Sequence, residues 1–186
     1  HFAVPAQRHH VHAAACAGPA RLWVVGDLVN LSTPKGATEA DIVEKLGKDA
    51  EALYNHWLAC VKALAAPWYT TPGNHDPHVF YARHVRKEID FAFEKNGVTF
   101  ISFSSVHPTE TDEHQGRVTP EQLAWMDAEM QKAREKGNRI ITFTHITSHP
   151  NKHPLVGWWI QQGGDELRAL YRKHGVLAEF SGHMHR

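Results

Sequence analysis

Five side chains able to ligate a metal ion each follow a short apolar run: Asp27, Asn74, His145, His183 and His185. They supply carboxylate, amide oxygen and imidazole. That mixture of hard and borderline donors suits Zn, Mn or Fe(II) better than Ca or Mg, which prefer oxygen alone. Five candidates plus a solvent bridge exceed the needs of one tetrahedral ion. Two ions roughly 3.5–4 Å apart would use the whole set, with one carboxylate between them. The His-x-His spacing of His183 and His185 agrees, because residues two apart in an extended segment share one side and can reach neighbouring ions.

The elements that must position these groups are readable from the runs before them. Gly26-Asp27 follows Leu22-Trp23-Val24-Val25, and Gly73-Asn74-His75-Asp76 follows Pro67-Trp68-Tyr69-Thr70-Thr71. Thr144-His145 follows Ile140-Ile141-Thr142-Phe143, and Gly182-His183-Met184-His185 follows Val176-Leu177-Ala178-Glu179-Phe180. Short runs rich in β-branched and aromatic residues, bounded by Gly or Pro, read as buried strands. Ligand sites of open α/β sheets form at the carboxyl ends of such strands. Between them, Ile42, Leu46, Leu53, Trp57, Val61 and Leu64 recur at helical spacing and predict a helix over 38–65, with Thr38 or Asp41 as its cap. A short helix is expected over 79–87, a hairpin about Asn96-Gly97, and a loop over 104–118. Thr119-Pro120-Glu121-Gln122 opens a further helix with a capping box, and a last helix covers about 164–174.

The motifs, in this order, resemble those of the calcineurin-like metallophosphoesterases, whose pattern is D-x-H, GD, GNH(D/E), H and GH-x-H. The last four stand here as Gly26-Asp27, Gly73 to Asp76, His145 and Gly182 to His185, across nearly the whole chain. The resemblance implies an α/β fold, a layered sandwich of two mixed β-sheets flanked by helices, in one domain over residues 1–186. It implies that Asp27 bridges two metal ions, that Asn74, His145 and His183 complete one site, and that His185 belongs to the other. His75 would contact the phosphate outside the metal shell and protonate the leaving oxygen, and Asp76 would orient its imidazole. A metal-bridging hydroxide would then attack phosphorus.

The start of the chain departs from this pattern, since no D-x-H precedes Asp27. His1-Phe2 resembles the tail of that motif, so His1 is a candidate metal ligand and the chain is expected to be a fragment of a longer one, truncated at both ends. The missing Asp also supports one alternative, a non-catalytic scaffold with a degenerate metal site. No tyrosine occurs in Gly26-Asp27-Leu28-Val29-Asn30, where purple acid phosphatases carry their iron-binding one, which argues against a purple Fe(III) centre. The arrangement around Gly116 and Pro120 to Trp125 is more similar to bacterial phosphodiesterases of the cyclic-nucleotide or glycerophosphodiester kind. The expected activity is therefore metal-dependent hydrolysis of a small-molecule phosphate ester, a diester ahead of a monoester, with two divalent or transition-metal ions (Mn, Fe or Zn).

Composition bounds the partners. Lys and Arg number 20, as do Asp and Glu, so no global field favours nucleic acid or an acidic membrane. No apolar stretch reaches the roughly 20 residues of a membrane span. Cys16 and Cys60 form no C-x-x-C and read as buried helical thiols rather than a disulfide. Besides the motifs, His9, His10 and His12 read as a solvated helix face, while His78, His107, His114, His149 and His153 fall in loops near the rim. Trp158 and Trp159, beside Leu155, Val156 and Ile160, either stack a flat or apolar part of the substrate or pack onto the core; core packing is the favoured reading.

Overall fold

The computed structural model describes residues 22–64, 66–107, 114–150 and 158–184. Two parallel strands, β1 (Leu22–Val25) and β2 (Trp68–Thr71), pair with Trp23 opposite Tyr69, so both rings leave the same face. They stack at 5.1 Å. The Trp23 ring also meets Phe91, Phe93, Phe100 and Phe143, which belong to a second sheet. That sheet contains β3 (Phe91–Lys95), β4 (Val98–Ser102), β6 (Arg139–Phe143) and β8 (Ala178–Phe180), hydrogen-bonded in the order β3-β4-β6-β8. The β3–β4 pair is antiparallel and the other two are parallel, so the sheet is mixed. Stacked aromatic rings thus join the two sheets, a contact that combines large apolar burial with favourable ring geometry.

The outer faces carry helices. Val24 packs with Leu28, Val29 and Leu31 against α1 (Glu39–Lys62) and α2 (His78–His84), through Ile42, Ala50, Tyr54, Phe80 and Tyr81. On the far side, Ile101 and Ile140 face α3 (Pro120–Glu135) and α4 (Gly164–His174), through Met126, Met130, Ala133 and Leu167. Met126, Met130 and Leu167 are fully buried, each such side chain contributing roughly 1.5–3 kcal/mol of transfer free energy. The order helix, sheet, sheet, helix is the layered α/β arrangement expected from the motifs.

Local signals agree in detail. Thr38 and Asp41 close a capping box at α1, and Thr119 with Gln122 closes another at α3. Asn96 and Gly97 both have positive φ, 51° and 73°, which a two-residue hairpin turn between β3 and β4 requires. The expected loop over 104–118 is incomplete as a description. It holds β5 (Gly116–Arg117), which pairs in parallel with β7 (Ile160–Gln162). Strands of two and three residues show no alternation long enough to be read. Cys60 is on α1 as expected, but exposed and free rather than buried; Cys16 lies outside the described residues, as do His9, His10, His12 and His153. Among the described residues no helix is long and apolar enough to cross a membrane.

One side chain ties α3 to the sheet edge. Gln122 accepts the Thr119 N–H at 3.0 Å through Oε1, and its Nε2 donates to Asp90 at 2.8 Å and to the Ser104 carbonyl at 2.9 Å. Replacing Gln122 by Ala removes its half of the capping box, while Thr119 still accepts the residue-122 N–H, and leaves a largely buried carboxylate short of a donor. The variant should lose about 2 kcal/mol of stability in urea unfolding, against about 1 kcal/mol or less for Thr38→Ala at the exposed box of α1.

Candidate metal centre

Strands β1, β2, β6 and β8 each end in a turn that carries one expected ligand, and the four turns meet. His145 stands at the centre. Its Nδ1–H donates to the Val25 carbonyl at 2.6 Å, which assigns the tautomer and leaves the Nε2 lone pair of the neutral ring facing inward. Around that nitrogen lie Asn74 Oδ1 at 2.9 Å, His183 Nδ1 at 3.2 Å and Asp27 Oδ2 at 3.3 Å. The backbone secures this meeting: the Thr144 N–H donates to the Phe180 carbonyl at 3.1 Å, and the Gly182 N–H to the His145 carbonyl at 3.0 Å. The ends of β6 and β8 are thereby locked together.

The convergence has a conformational cost. Among the described residues only three other than glycine have positive φ. Asn96 is explained by its hairpin turn; the other two are Asp27, at 53°, and His183, at 67°. Left-handed backbone costs such residues on the order of 1 kcal/mol each and persists where surrounding structure dictates it. Close approach adds to it. A side chain at Gly26 would collide with the His145 ring, and one at Gly73 with the Asp27 carboxylate.

The electrostatics suit a cation. Burial pushes the Asp27 carboxyl up, but the hydrogen bond and charge of His145 and the His75 N–H outweigh it and bring its pKa to about 2. For His183, burial and the charge of His145 lower the imidazole to about 3, so it is neutral at ordinary pH. Its Nε2 is buried without a hydrogen-bond partner, although the His114 backbone lies close enough to favour the protonated ring. His145 is itself buried, which disfavours its charge; the Asp27 carboxylate outweighs this and raises its pKa. A proton on Nε2 can therefore occupy the centre of the cluster in competition with a metal ion.

Asp76 does not make the expected contact. Instead of orienting the His75 imidazole, its fully buried carboxylate accepts the N–H groups of Leu28 and Val29, both at 3.0 Å, and of Gly73 at 2.9 Å. The Tyr54 hydroxyl of α1 donates to it at 3.3 Å. Burial raises its pKa to about 6 while those N–H groups pull it down, so it is charged at neutral pH. Asp76 thus joins the turn that carries Asp27 to the turn that carries Asn74. The His75 N–H donates to Asp27 at 3.2 Å, and the buried Nδ1 of its ring has no hydrogen-bond partner.

The donor set fits a borderline divalent ion. Ligands about 2.1 Å from one ion stand roughly 3.0–3.4 Å from one another, close to the separations in this cluster. Among the described residues no group of three or more His, Cys, Asp or Glu alone could hold a metal ion. The cluster depends on the Asn74 amide as well. His1 and His185 lie outside the described residues.

Two supports were not anticipated. Glu179 of β8, its side chain only 5 % exposed, accepts from the Thr147 hydroxyl at 3.0 Å, the Ser148 N–H at 2.9 Å and the Tyr171 hydroxyl at 2.9 Å. It therefore grips the segment just after His145. Ser105 accepts the Ile146 N–H at 2.8 Å from the other side. An acid inside the apolar run before Gly182 was the available signal for Glu179. His78, expected in a loop, opens α2 and contacts Ser104 at 3.1 Å, with burial lowering its pKa to about 4.

A family model of calcineurin-like phosphoesterases matches residues 3–186, and the chain belongs to that family. Among solved structures it is similar to a dimetal phosphatase from Danio rerio, with a TM-score of 0.67 and 14% identity over 89% of this chain and 66% of that one. It is also similar to a purple acid phosphatase isolated from yellow lupin (Lupinus luteus) seeds, with a TM-score of 0.59 and 16% identity over 89% of this chain and 30% of that one. The chain thus spans just under two thirds of the first and less than a third of the second. No curated protein sequence matches it significantly.

Removing the Asp76 carboxylate orphans three backbone donors at once. Asp76→Ala should cost about 3 kcal/mol or more in urea unfolding and should weaken metal uptake with it. A variant of normal stability with only its turnover reduced would return Asp76 to the imidazole-orienting role.

Proposed function

We propose that this chain hydrolyses a small-molecule phosphate ester, a diester in preference to a monoester, using two divalent or transition-metal ions (Mn, Fe or Zn). One observation carries this reading: Asn74 Oδ1, His183 Nδ1 and Asp27 Oδ2 all lie within 3.3 Å of His145 Nε2, gathering an amide oxygen, a carboxylate and two imidazoles at one point. Carboxylate, amide oxygen and imidazole at these separations make a ligand set for a divalent ion of borderline softness. These four residues would hold one ion. Asp27 would also reach the second, with His185 and His1 as its further candidate ligands.

When bound, such ions supply Lewis-acid polarisation of the phosphoryl oxygens and a water acidic enough to attack near neutral pH. The chain's own residues do the rest. Asn74 contributes a neutral donor, which limits the negative charge facing an anionic substrate. His145 is oriented by the Val25 carbonyl, as ligating imidazoles commonly are by an acceptor on their other nitrogen. His75 has its backbone tied to Asp27 while its ring nitrogen is unused by the fold. That ring can steady the phosphate or pass a proton to the leaving oxygen.

The preference for a diester rests on the resemblance of the motif arrangement to bacterial phosphodiesterases. A monoesterase is the second reading, favoured by the phosphatases among its structural neighbours. The test is hydrolysis of an aryl phosphate diester and monoester by the Mn-reconstituted protein, with metal content measured alongside. Asn74→Ala and His183→Ala should each lose bound metal and reduce turnover at least a hundredfold, whereas His75→Ala should keep its metal and lose roughly 10²–10⁴-fold in rate. Near-normal turnover in Asn74→Ala or His183→Ala would refute the assignment. Faster monoester than diester cleavage would leave the centre intact and correct the substrate.

A further inference from the structure

The small β5–β7 pair has a consequence at the metal centre. Gly116 of β5 is in register with Ile160 of β7, and the Gly116 N–H donates to the Trp159 carbonyl at 3.1 Å. His114 and Trp158, each two residues before its strand, are thereby brought side by side, their rings 4.9 Å apart. Both rings also reach the candidate ligand His183: Trp158 at 5.4 Å, tilted by 54°, and His114 at 5.9 Å, tilted by 48°. The core begins only at Ile160, which is 1 % exposed, whereas Trp158 is half-buried and belongs to neither hydrophobic cluster. Core packing, the favoured reading of this tryptophan from sequence, is not what the structure shows.

We infer that Trp158, flanked by His114, is the specificity wall of the centre, and that it stacks a planar aromatic group, an aryl ring or a nucleobase, on the phosphate ester. An indole beside His183 would face the substituent of a phosphate held at the cluster of Asp27, Asn74, His145 and His183. Stacking on an indole face suits flat π-systems and tolerates differences among them. The β5–β7 pairing that follows both residues sets the two rings beside each other. This inference rests on the phosphoesterase reading and names its substrate class.

The test is calorimetric binding of three non-turnover probes to the Mn-loaded protein: methylphosphonate, phenylphosphonate and adenosine 5′-monophosphate in the presence of fluoride. Wild type should bind at least one of the aromatic probes about tenfold or more tightly than methylphosphonate. Trp158→Ala should weaken that probe roughly ten- to hundredfold while methylphosphonate changes little, and Trp158→Phe should restore most of the difference. The aromatic probe that binds tighter identifies the ring. Equal losses for all probes, or none, would overturn the stacking role. Where Trp158→Ala fails to fold, Trp158→Leu serves the same comparison. Failure of wild type to bind methylphosphonate at all would instead count against the phosphoesterase reading itself.

Discussion

The buried carboxylate of Asp76 fixes the relation between two turns that would otherwise be independent. One follows β1 and carries Asp27; the other follows β2 and carries Asn74. Neither turn is regular structure, so their N–H groups have no ladder to satisfy them. Buried without partners they would cost about 1–3 kcal/mol each. A single carboxylate takes three of them and a hydroxyl from α1 besides. Once those turns are held, Asp27 is forced into left-handed backbone and its carboxylate is aimed at His145. The helix layer thereby reaches the candidate ligands through Tyr54 and Asp76.

A second constraint works from the other sheet. The carboxyl ends of β6 and β8 are bonded to each other, which sets His145 beside His183, and Glu179 grips the residues that follow His145. The two halves of the sandwich are joined by stacked aromatic rings around Trp23, so the turns from each half meet at a fixed distance. They bring together a carboxylate, an amide and two imidazoles. Two of the four, Asp27 and His183, are held there in left-handed backbone.

Much of this was readable before the structure. A polar ligand after each of four apolar runs predicts both the strands and their convergence, because parallel strands end on the same side. The capping boxes at Thr38 and Thr119 and the Asn96-Gly97 turn were equally plain, since their chemistry is local. What could not be read is where a side chain points when tertiary contacts decide it. Asp76 is next to His75 in sequence, yet its carboxylate turns to backbone donors some 48 residues away. Glu179 looks like an outward residue of a strand and is instead a buried acceptor. The β5–β7 pair escaped notice because strands of two and three residues show no periodicity, and with it went the placement of Trp158 against His183.

Whether the meeting point of Asp27, Asn74, His145 and His183 holds a metal ion can be measured directly. Anomalous diffraction from crystals of the Mn-loaded protein, collected on both sides of the Mn absorption edge, tests it without reference to any substrate. A Mn peak is expected within bonding distance of His145 Nε2, Asn74 Oδ1, His183 Nδ1 and an Asp27 oxygen, with a second peak sharing Asp27. Manganese bound only elsewhere, or these four side chains in mutual contact with no peak between them at saturating metal, would contradict it.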